Sequence, residues 1–388
     1  MSTIYTNDAC PAEVAGNVPT PCYLISEDQI RKNCAILDEV QQRSGARILL
    51  ALKAFALPAL FPLIRQTLHG VCASGPIEAQ LGREDFNREV HTYAPAYSAE
   101  QMRRVIFYSD HILFNSISQW HMHKEAIAAG EREIEVGFRV NPGYSEVATD
   151  LYNPCLPGSR FGLQPQDLDG LDLSGISGLH FHAMCEQNSD VLARILPHFE
   201  EKFGRFLSGM KWVNFGGGHH ITREDYDLDL LCDTITAFRE KYKVEVYLEP
   251  GEAVVLNGGF FVTSVLDLID NQMNIAIVDS SAETHLPDVL AMPYRPEIPG
   301  SGKPGLPHTY RLGGISCLAG DVIGDYSFPR PLQCGDRLVF TDMALYTFVK
   351  NTTFNGVELP AIYSYSLERD LLQCVRSFGY EDYRSKLA

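Results

Sequence analysis

The chain has 388 residues, of which 45% are hydrophobic and 21% charged, and its formal net charge is −17. This composition is typical of a soluble globular protein and leaves room for two domains. The acidic balance argues against a nucleic-acid partner, because phosphate binding requires basic patches. No run approaches the roughly 20 apolar residues of a membrane span, and residues 1–10 do not resemble a signal peptide, so we expect no membrane association and a cytoplasmic protein.

Short apolar runs with strand character recur through residues 47–249, and helical patterns lie between them. Ser26 to Gln29 and Ser98 to Gln101 have the spacing of capping boxes, and residues 190–207 carry an apolar stripe at helical spacing. Eight such alternations predict an α/β fold, a TIM-like (β/α)8 barrel over residues 24–257, rather than an open doubly wound sheet. The predicted strands are 47–53, 70–74, 89–94, 111–115, 135–141, 178–183, 212–216 and 244–249.

Beyond residue 257 the pattern changes to strands without intervening helices. Residues 260–269, 274–279 and 337–340 have strand character, and the stretch 287–305, rich in Pro and Gly, is predicted to be a long loop. We therefore predict a C-terminal antiparallel β domain, formed by residues 258–388 together with residues 1–23.

Ten cysteines are scattered along the chain without a C-x-x-C pair. This spacing argues against a zinc ribbon and against a disulfide framework. We expect reduced thiols, most of them buried.

Chemically reactive residue types recur where the predicted barrel strands end, which is where such barrels place their active sites. The first strand ends at Lys53, whose apolar neighbours would desolvate the amine and so activate it toward carbonyls. The alternative for Lys53 is a side chain that simply extends to water. Later strands end at His180 and His182, at the triplet Gly216–Gly218 and at Glu249.

The glycine triplet and the histidines each allow two interpretations. The glycines could close their backbone N–H groups around a phosphate or could simply form a tight turn, with Thr222 as the expected cap of the next helix. The histidines at positions 180, 182, 219 and 220 could bind a metal, but the first strand offers Lys53 instead of a matching histidine pair. We therefore expect no metal.

A lysine, a histidine ring, a glycine turn and a carboxylate together match the needs of pyridoxal 5'-phosphate. Lys53 would bind the aldehyde, the glycines the phosphate, a histidine would stack on the ring, and Glu249 would contact the pyridine nitrogen. A carboxylate at that position keeps the nitrogen protonated, which favours decarboxylation over racemisation.

The chain resembles the fold-type III pyridoxal-phosphate decarboxylases of the ornithine/diaminopimelate decarboxylase superfamily, which share the barrel of alanine racemase. Seven short segments in family order carry the resemblance: residues 51–54, 159–162, 180–182, 216–218, 249–251, the pair Cys317 and Asp321, and 344–347 with 354–356.

The resemblance implies a role for each matching position. Lys53 would be the cofactor lysine, His182 the ring-stacking histidine, Gly217 and Gly218 phosphate contacts, and Glu249 the partner of the pyridine nitrogen.

The resemblance also implies a homodimer. Cys317 and Tyr346 would reach the site of the neighbouring subunit, near the proton donor and the phosphate respectively. Cys317, or Lys53 itself, would return a proton to the substrate Cα.

The departures from the family pattern concern the substrate. Glu252 stands where ornithine- and diaminopimelate-type enzymes have an arginine, Cys185 replaces a phosphate-binding serine, and Leu318 replaces a substrate-binding aspartate. Exchanging arginine for glutamate disfavours a second substrate carboxylate and favours an amine. These features resemble the carboxynorspermidine decarboxylase branch, which implies a small cationic carboxylated polyamine, carboxynorspermidine or carboxyspermidine, as the substrate.

Three acidic residues are expected to hold the ammonium groups of such a substrate: Glu252, Asp288 and Asp321. Alternatives stay open. Asp288 could merely face solvent, and the chain could decarboxylate ornithine, lysine, arginine or diaminopimelate. A pyridoxal-phosphate carrier without a reaction, an interaction protein on this fold and a metal-dependent hydrolase are further alternatives.

Overall fold

The computed structural model describes residues 2–303, 305 and 307–387. The chain divides into two compact units, Arg31–Val254 and a second unit made of Met1–Ile30 with Val255–Ala388. Strands and helices are numbered in chain order below.

The first unit contains a closed barrel of eight parallel strands. Their spatial order is β10-β3-β4-β5-β6-β7-β8-β9, and most of their residues are buried, as expected for strands covered on both faces. All eight predicted strands are confirmed: Arg47–Ala51 (β3), Gly70–Ala73 (β4), Glu89–Tyr93 (β5), His111–Phe114 (β6), Glu135–Arg139 (β7), Gly178–His180 (β8), Trp212–Asn214 (β9) and Glu245–Leu248 (β10).

Helices connect the barrel strands. In helix Ala99–Tyr108 the predicted capping box is formed, because the Ser98 side chain accepts the Gln101 N–H and the Gln101 side chain accepts the Ser98 N–H. The apolar stripe predicted at 190–207 forms helix Ser189–Phe203, which buries Val191, Leu192 and Ile195 among others. The helices of this part of the chain are Glu27–Ser44 (α2), Phe61–Ile64 (α3), Pro76–Leu81 (α4), Ala99–Tyr108 (α5), Ile117–Ala128 (α6), Ser189–Phe203 (α7), Leu228–Tyr242 (α8) and Glu252–Val255 (α9).

The second unit is built on a nine-stranded sheet. The sheet is mixed, not antiparallel as predicted, because β1 with β15, β2 with β16 and β12 with β13 pair in parallel. The strands of this unit are Ile4–Tyr5 (β1), Cys22–Ser26 (β2), Gly259–Asp270 (β11), Asn274–Val278 (β12), His308–Gly313 (β13), Val322–Phe328 (β14), Arg337–Thr341 (β15), Ala361–Ser366 (β16) and Leu371–Arg376 (β17). Its helices are Ala12–Gly16 (α1), Ala282–His285 (α10), Pro287–Ala291 (α11) and Tyr380–Ser385 (α12).

The unit boundaries differ from those expected from the sequence. Strand β2 pairs with β11 and β16 of the sheet and is buried along its whole length, so residues 24–30 belong to the sheet unit and not to the barrel. The stretch 287–305 is not loop throughout, because Pro287 starts the short helix α11. A proline is tolerated at that position because its missing N–H would have no partner inside the helix.

Among the described residues, no helix is both long enough and apolar enough to cross a membrane.

Candidate active site

The register of the barrel places three polar residues side by side where its strands end. Arg139 of β7 pairs with His180 of β8, and His180 pairs with Asn214 of β9. Glu249 follows the end of β10 directly. Because parallel strands bring their carboxyl ends to one face, these four residues share the end of the barrel where active sites form.

Glu249 is an ionised carboxylate held by a histidine and an asparagine. Its Oε2 atom accepts a hydrogen bond from His180 Nε2 at 3.2 Å, and its Oε1 atom accepts one from Asn214 Nδ2 at 2.8 Å. Burial alone would raise the pKa of Glu249, but the interactions with His180 and Asn214 outweigh it and lower the pKa to about 2. Burial lowers the pKa of His180, against the opposing pull of Glu249, so this imidazole stays neutral at neutral pH.

Asn214 links this carboxylate to the glycine triplet. Its side chain is fully buried and its Oδ1 atom accepts the Gly216 N–H at 2.8 Å, while its Nδ2 donates to Glu249. Neither Asn214 nor the support given by His180 was predicted. The only signal in the sequence is an asparagine at the end of a buried strand just before the glycines.

His182 is fixed by the next glycine. Its Nδ1 atom accepts the Gly217 N–H at 2.7 Å. Burial, followed by the positive charges of Lys53 and Arg139, holds the pKa of His182 well below its usual value. The ring is therefore neutral, and since Nδ1 is the acceptor, its proton lies on Nε2.

Close backbone approaches explain why the triplet consists of glycines. A Cβ atom on Gly217 would lie 2.6 Å from the Glu249 carbonyl oxygen, and one on Gly218 would lie 2.1 Å from the Met184 carbonyl oxygen. Gly218 also has a φ of +85°, which disfavours any side chain. Any larger residue would push these segments apart.

The triplet offers fewer free donors than its sequence suggests. The N–H groups of Gly216 and Gly217 are taken by Asn214 and His182, whereas no acceptor among the described residues receives the Gly218 N–H. Thr222 does not cap the following helix, because its hydroxyl donates to the Ala253 carbonyl oxygen. Helix Leu228–Tyr242 is capped instead by Asp227, which accepts the Leu230 N–H.

Lys53 lies in the turn after β3 and is exposed, although Leu52, Ala54 and Phe55 around it are buried. The expectation that its neighbours desolvate the amine is therefore wrong for the chain alone. The turn itself is tightly packed, since a Cβ atom on Gly251 would lie 2.4 Å from the Ala54 Cβ.

Two half-buried cysteines show which charges lie around Lys53. Burial raises the pKa of Cys72 well above its usual value; Glu249 adds to this rise and Lys53 opposes it. Burial likewise raises the pKa of Cys185 to about 12, with Glu252 adding to the rise and Lys53 opposing it. Lys53, Glu249 and Glu252 thus act on shared neighbours at one end of the barrel, as the sequence predicted.

Arg139 is a further residue that sequence reasoning missed. It is buried between two aromatic rings, with its guanidinium carbon 4.7 Å from the ring centre of Tyr93 and 4.2 Å from that of Phe161. It also donates to the His182 carbonyl oxygen at 3.4 Å. Arg139 therefore supports the segment that carries His182.

The sheet unit carries the other predicted residues. The Cys317 side chain is exposed, and its backbone N–H donates to Asn355 Oδ1 at 2.7 Å, so the two family segments around 317 and 355 are in contact. Asp321 does not face solvent: it is 4% exposed, its Oδ1 accepts the Ala282 N–H and its Oδ2 accepts the Ser316 N–H. Its carboxylate is engaged by backbone N–H groups, which is a structural role, and a contact of Asp321 with the substrate stays a prediction.

Asp288 lies in helix α11, and its carboxylate accepts a hydrogen bond from Lys350 Nζ at 2.6 Å. The same ammonium lies 5.4 Å from the ring centre of Tyr346. Tyr346 has a φ of +37°, an unusual conformation for a residue with a side chain. Asp288 and Tyr346 thus both lie near the Lys350 ammonium. The sequence did not indicate this proximity.

Comparison with known proteins identifies the family. The model of the family described as "Pyridoxal-dependent decarboxylase, C-terminal sheet domain" matches residues 22–344, which is most of the chain. The chain belongs to this family of pyridoxal-dependent decarboxylases.

Similar proteins cover nearly the whole of this decarboxylase. A carboxynorspermidine/carboxyspermidine decarboxylase of Campylobacter jejuni is 43% identical over 94% of this chain and 98% of the relative. A carboxyaminopropylagmatine decarboxylase of Synechocystis is 44% identical over 96% of each protein. The crystal structure of the Campylobacter jejuni carboxynorspermidine decarboxylase complexed with norspermidine superposes with a TM-score of 0.88 at 41% identity, covering 95% of this chain and 100% of that one.

The barrel end of this decarboxylase fits the cofactor of its family. The glycine turn has no room for side chains, and the Gly218 N–H has no acceptor among the described residues. An ionised carboxylate, a neutral imidazole and an exposed lysine lie at the same end of the barrel. These are the groups needed to bind a protonated pyridine nitrogen, a flat ring and an aldehyde.

The low pKa of Glu249 predicts a specific loss of stability in acid. The pKa of Glu249 is about 2 in the folded protein and about 4.3 in the unfolded chain. Ionised Glu249 therefore adds about 3 kcal/mol to the free energy of unfolding above pH ~4.3, and about 2 kcal/mol of this is lost by pH ~3. We expect the free energy of unfolding in urea to fall more steeply from pH 7 to pH 3 in the wild type than in Glu249→Gln. Glu125→Gln, at an exposed position of α6, should behave like the wild type; equal slopes for all three proteins would contradict the assignment.

Proposed function

We propose that this decarboxylase removes the α-carboxylate of carboxynorspermidine or carboxyspermidine, which yields norspermidine or spermidine and CO2 in polyamine biosynthesis. The observation that carries the proposal is Glu252, a carboxylate at the barrel end where related amino-acid decarboxylases have arginine. The similarity to relatives of 43% and 37% identity with this named activity supports it.

The proposed cofactor is pyridoxal 5'-phosphate. When bound, it supplies an electron sink for the pair released as the bond between Cα and the carboxylate breaks. Lys53 would hold its aldehyde carbon, the Gly218 N–H would contact its phosphate, and Tyr346 would add a phosphate contact across a subunit boundary.

Glu249 and His182 have complementary tasks in this proposal. Glu249 stays ionised at neutral pH, so it can hold a proton on the pyridine nitrogen. His182 stays neutral and is fixed by Gly217, so its ring can pack against another flat ring without adding a positive charge. Asn214 and His180 keep the carboxylate in place between them.

The substrate would be held through its ammonium groups. Glu252 offers a negative charge near Lys53, on the side of Cys185. Asp288 is a second proposed contact, where a substrate ammonium would take the place of the Lys350 ammonium. Both contacts favour a cationic tail over a second carboxylate.

We also propose a cytoplasmic homodimer in which the Cys317 segment completes the neighbouring subunit's site and in which Cys317 or Lys53 returns the proton to Cα. Apolar side chains are exposed around Cys317: Ile315 is 42% exposed, Leu318 40% and Phe354 43%. A cluster of this kind on one loop pair is typical of a surface that a partner covers.

A second candidate substrate is favoured by one comparison. The Synechocystis carboxyaminopropylagmatine decarboxylase is as similar to this chain as the Campylobacter jejuni protein. Its substrate, like the carboxylated triamines, joins an amino-acid carboxylate to a long cationic tail, so the same barrel-end carboxylates could bind it.

The substrate proposal predicts a ranking of CO2 release by the purified protein supplied with pyridoxal phosphate. Carboxynorspermidine and carboxyspermidine should exceed ornithine, lysine, arginine and diaminopimelate in kcat/KM, because only the former place ammonium groups along a long tail. Carboxyaminopropylagmatine is tested alongside them. If the protein prefers ornithine or diaminopimelate, the family assignment still holds but the proposed role of Glu252 is refuted. If it prefers carboxyaminopropylagmatine, the second candidate substrate is favoured.

The Lys53→Ala variant should lose both turnover and the absorbance of covalently bound cofactor, because no other amine takes its place. Absorbance after gel filtration and CO2 release measure the two effects. Lys32→Ala, at an exposed position of α2, is the control and should keep both properties. Retained absorbance and activity in Lys53→Ala would refute the assignment.

The Glu252→Gln variant should raise the KM for carboxynorspermidine roughly tenfold or more with a smaller change in kcat. The reason is the loss of one charge-assisted contact, about 1.5–3 kcal/mol. Glu186→Gln removes an exposed charge from the same neighbourhood and should leave KM within about twofold. An unchanged KM in Glu252→Gln, or an equal rise in both variants, would show that Glu252 does not contact the substrate.

A further inference from the structure

A second group of titratable side chains lies at the other end of the barrel, where the strands begin. Glu89 is the first residue of β5 and His111 the first residue of β6, and His91 pairs with His111 across these two strands. His91 Nε2 donates to Glu89 Oε1 at 2.7 Å, and His69 Nε2 lies 3.4 Å from Glu89 Oε2. None of these residues was singled out from the sequence.

The His111 Nδ1 atom is buried without a hydrogen-bond partner among the described residues, and the residue is only 6% exposed. Its Nε2 atom points toward two carboxylates, at 3.9 Å from Glu89 Oε1 and 3.9 Å from Glu135 Oε2, and both distances are too long for a hydrogen bond. No hydrogen bond to Nε2 is formed among the described residues, so this nitrogen is available to a ligand.

The donor set suits a cation. Imidazole nitrogens and a carboxylate oxygen are ligands that zinc takes in proteins, and Glu89, His91 and His111 offer both kinds.

We propose that Glu89, His91 and His111 bind one Zn²⁺ ion, with His69 or a water molecule as the fourth ligand. The ligand atoms of the three residues already lie within 4.8 Å of one another, whereas tetrahedral ligands at zinc distances lie about 3.3 Å apart. The site therefore needs a small contraction and no rearrangement of the barrel.

The two rings must tilt when the ion binds. They now stack at 3.8 Å with their planes 12° apart, whereas two ligands of a tetrahedral ion approach it from different directions. His111 can tilt without breaking a hydrogen bond. His91 gives up its bond to Glu89, carries its ring proton on Nδ1 instead of Nε2, and binds the metal through Nε2.

The nearby positive charges do not fill the site. Arg47 lies 3.8 Å from Glu89 Oε2 but donates to Glu245 at 2.7 Å and to the Tyr247 hydroxyl at 2.9 Å. Lys211 is bound to Glu135 at 2.6 Å. Both cations have partners that they keep when Zn²⁺ binds.

Such an ion would stabilise the barrel and take no part in its chemistry. It would join β5 to β6 at the end where the strands begin, and residues at that end of a TIM-like barrel serve stability whereas those at the other end serve catalysis. The inference is therefore independent of the proposed function.

The test is zinc binding by the purified full chain, free of tags and treated with EDTA. Equilibrium dialysis against ZnCl2 should give one tight equivalent per chain, and ZnCl2 should raise the midpoint of thermal unfolding. His111→Asn and His91→Asn should weaken binding at least about 100-fold. His121→Asn, at an exposed position of α6, should bind as the wild type does.

X-ray absorption of the wild-type zinc form decides the case even if the variants do not fold. Nitrogen and oxygen neighbours with imidazole scattering support the site. A shell made of sulfur would place the zinc at the exposed cysteines and overturn the proposal. Absence of a tight equivalent, or unchanged affinity in His111→Asn, would overturn it as well.

Discussion

The two hydrogen bonds of the Asn214 side chain are the interaction on which the barrel end depends. One bond fixes the Glu249 carboxylate and the other fixes Gly216. A single buried amide side chain therefore sets the distance between this carboxylate and the glycine turn. Gly217 then fixes His182. Because these groups follow neighbouring strands, the barrel register places them in contact before any ligand is present.

The ionisable groups at this end of the barrel differ in their charge and in their burial. Glu249 keeps its charge in the interior because His180 and Asn214 interact with it, whereas Lys53 is exposed and His182 is neutral. A buried carboxylate held by hydrogen bonds needs no reorganisation to stabilise a proton on its partner. This arrangement supports the proposed contact between Glu249 and a protonated ring nitrogen.

Much of the fold could be predicted from the sequence, since alternating apolar runs and capping signals depend on local periodicity. The eight strands and the Ser98 cap follow from such patterns. The support given by Asn214, the burial of Asp321 and the pairing of Asp288 with Lys350 could not be predicted, because each joins residues distant in sequence. The parallel pairs of the mixed sheet were missed for the same reason: strand order is a property of the whole chain.

The buried Asp321 has a consequence for how this scaffold can vary. It binds the backbone at Ala282 and Ser316, so it holds the Cys317 loop by groups that every residue possesses. The side chains of Ile315, Cys317 and Leu318 are exposed and contribute little to that anchoring. Substitutions at these positions can therefore change what the loop contacts while its backbone path stays the same.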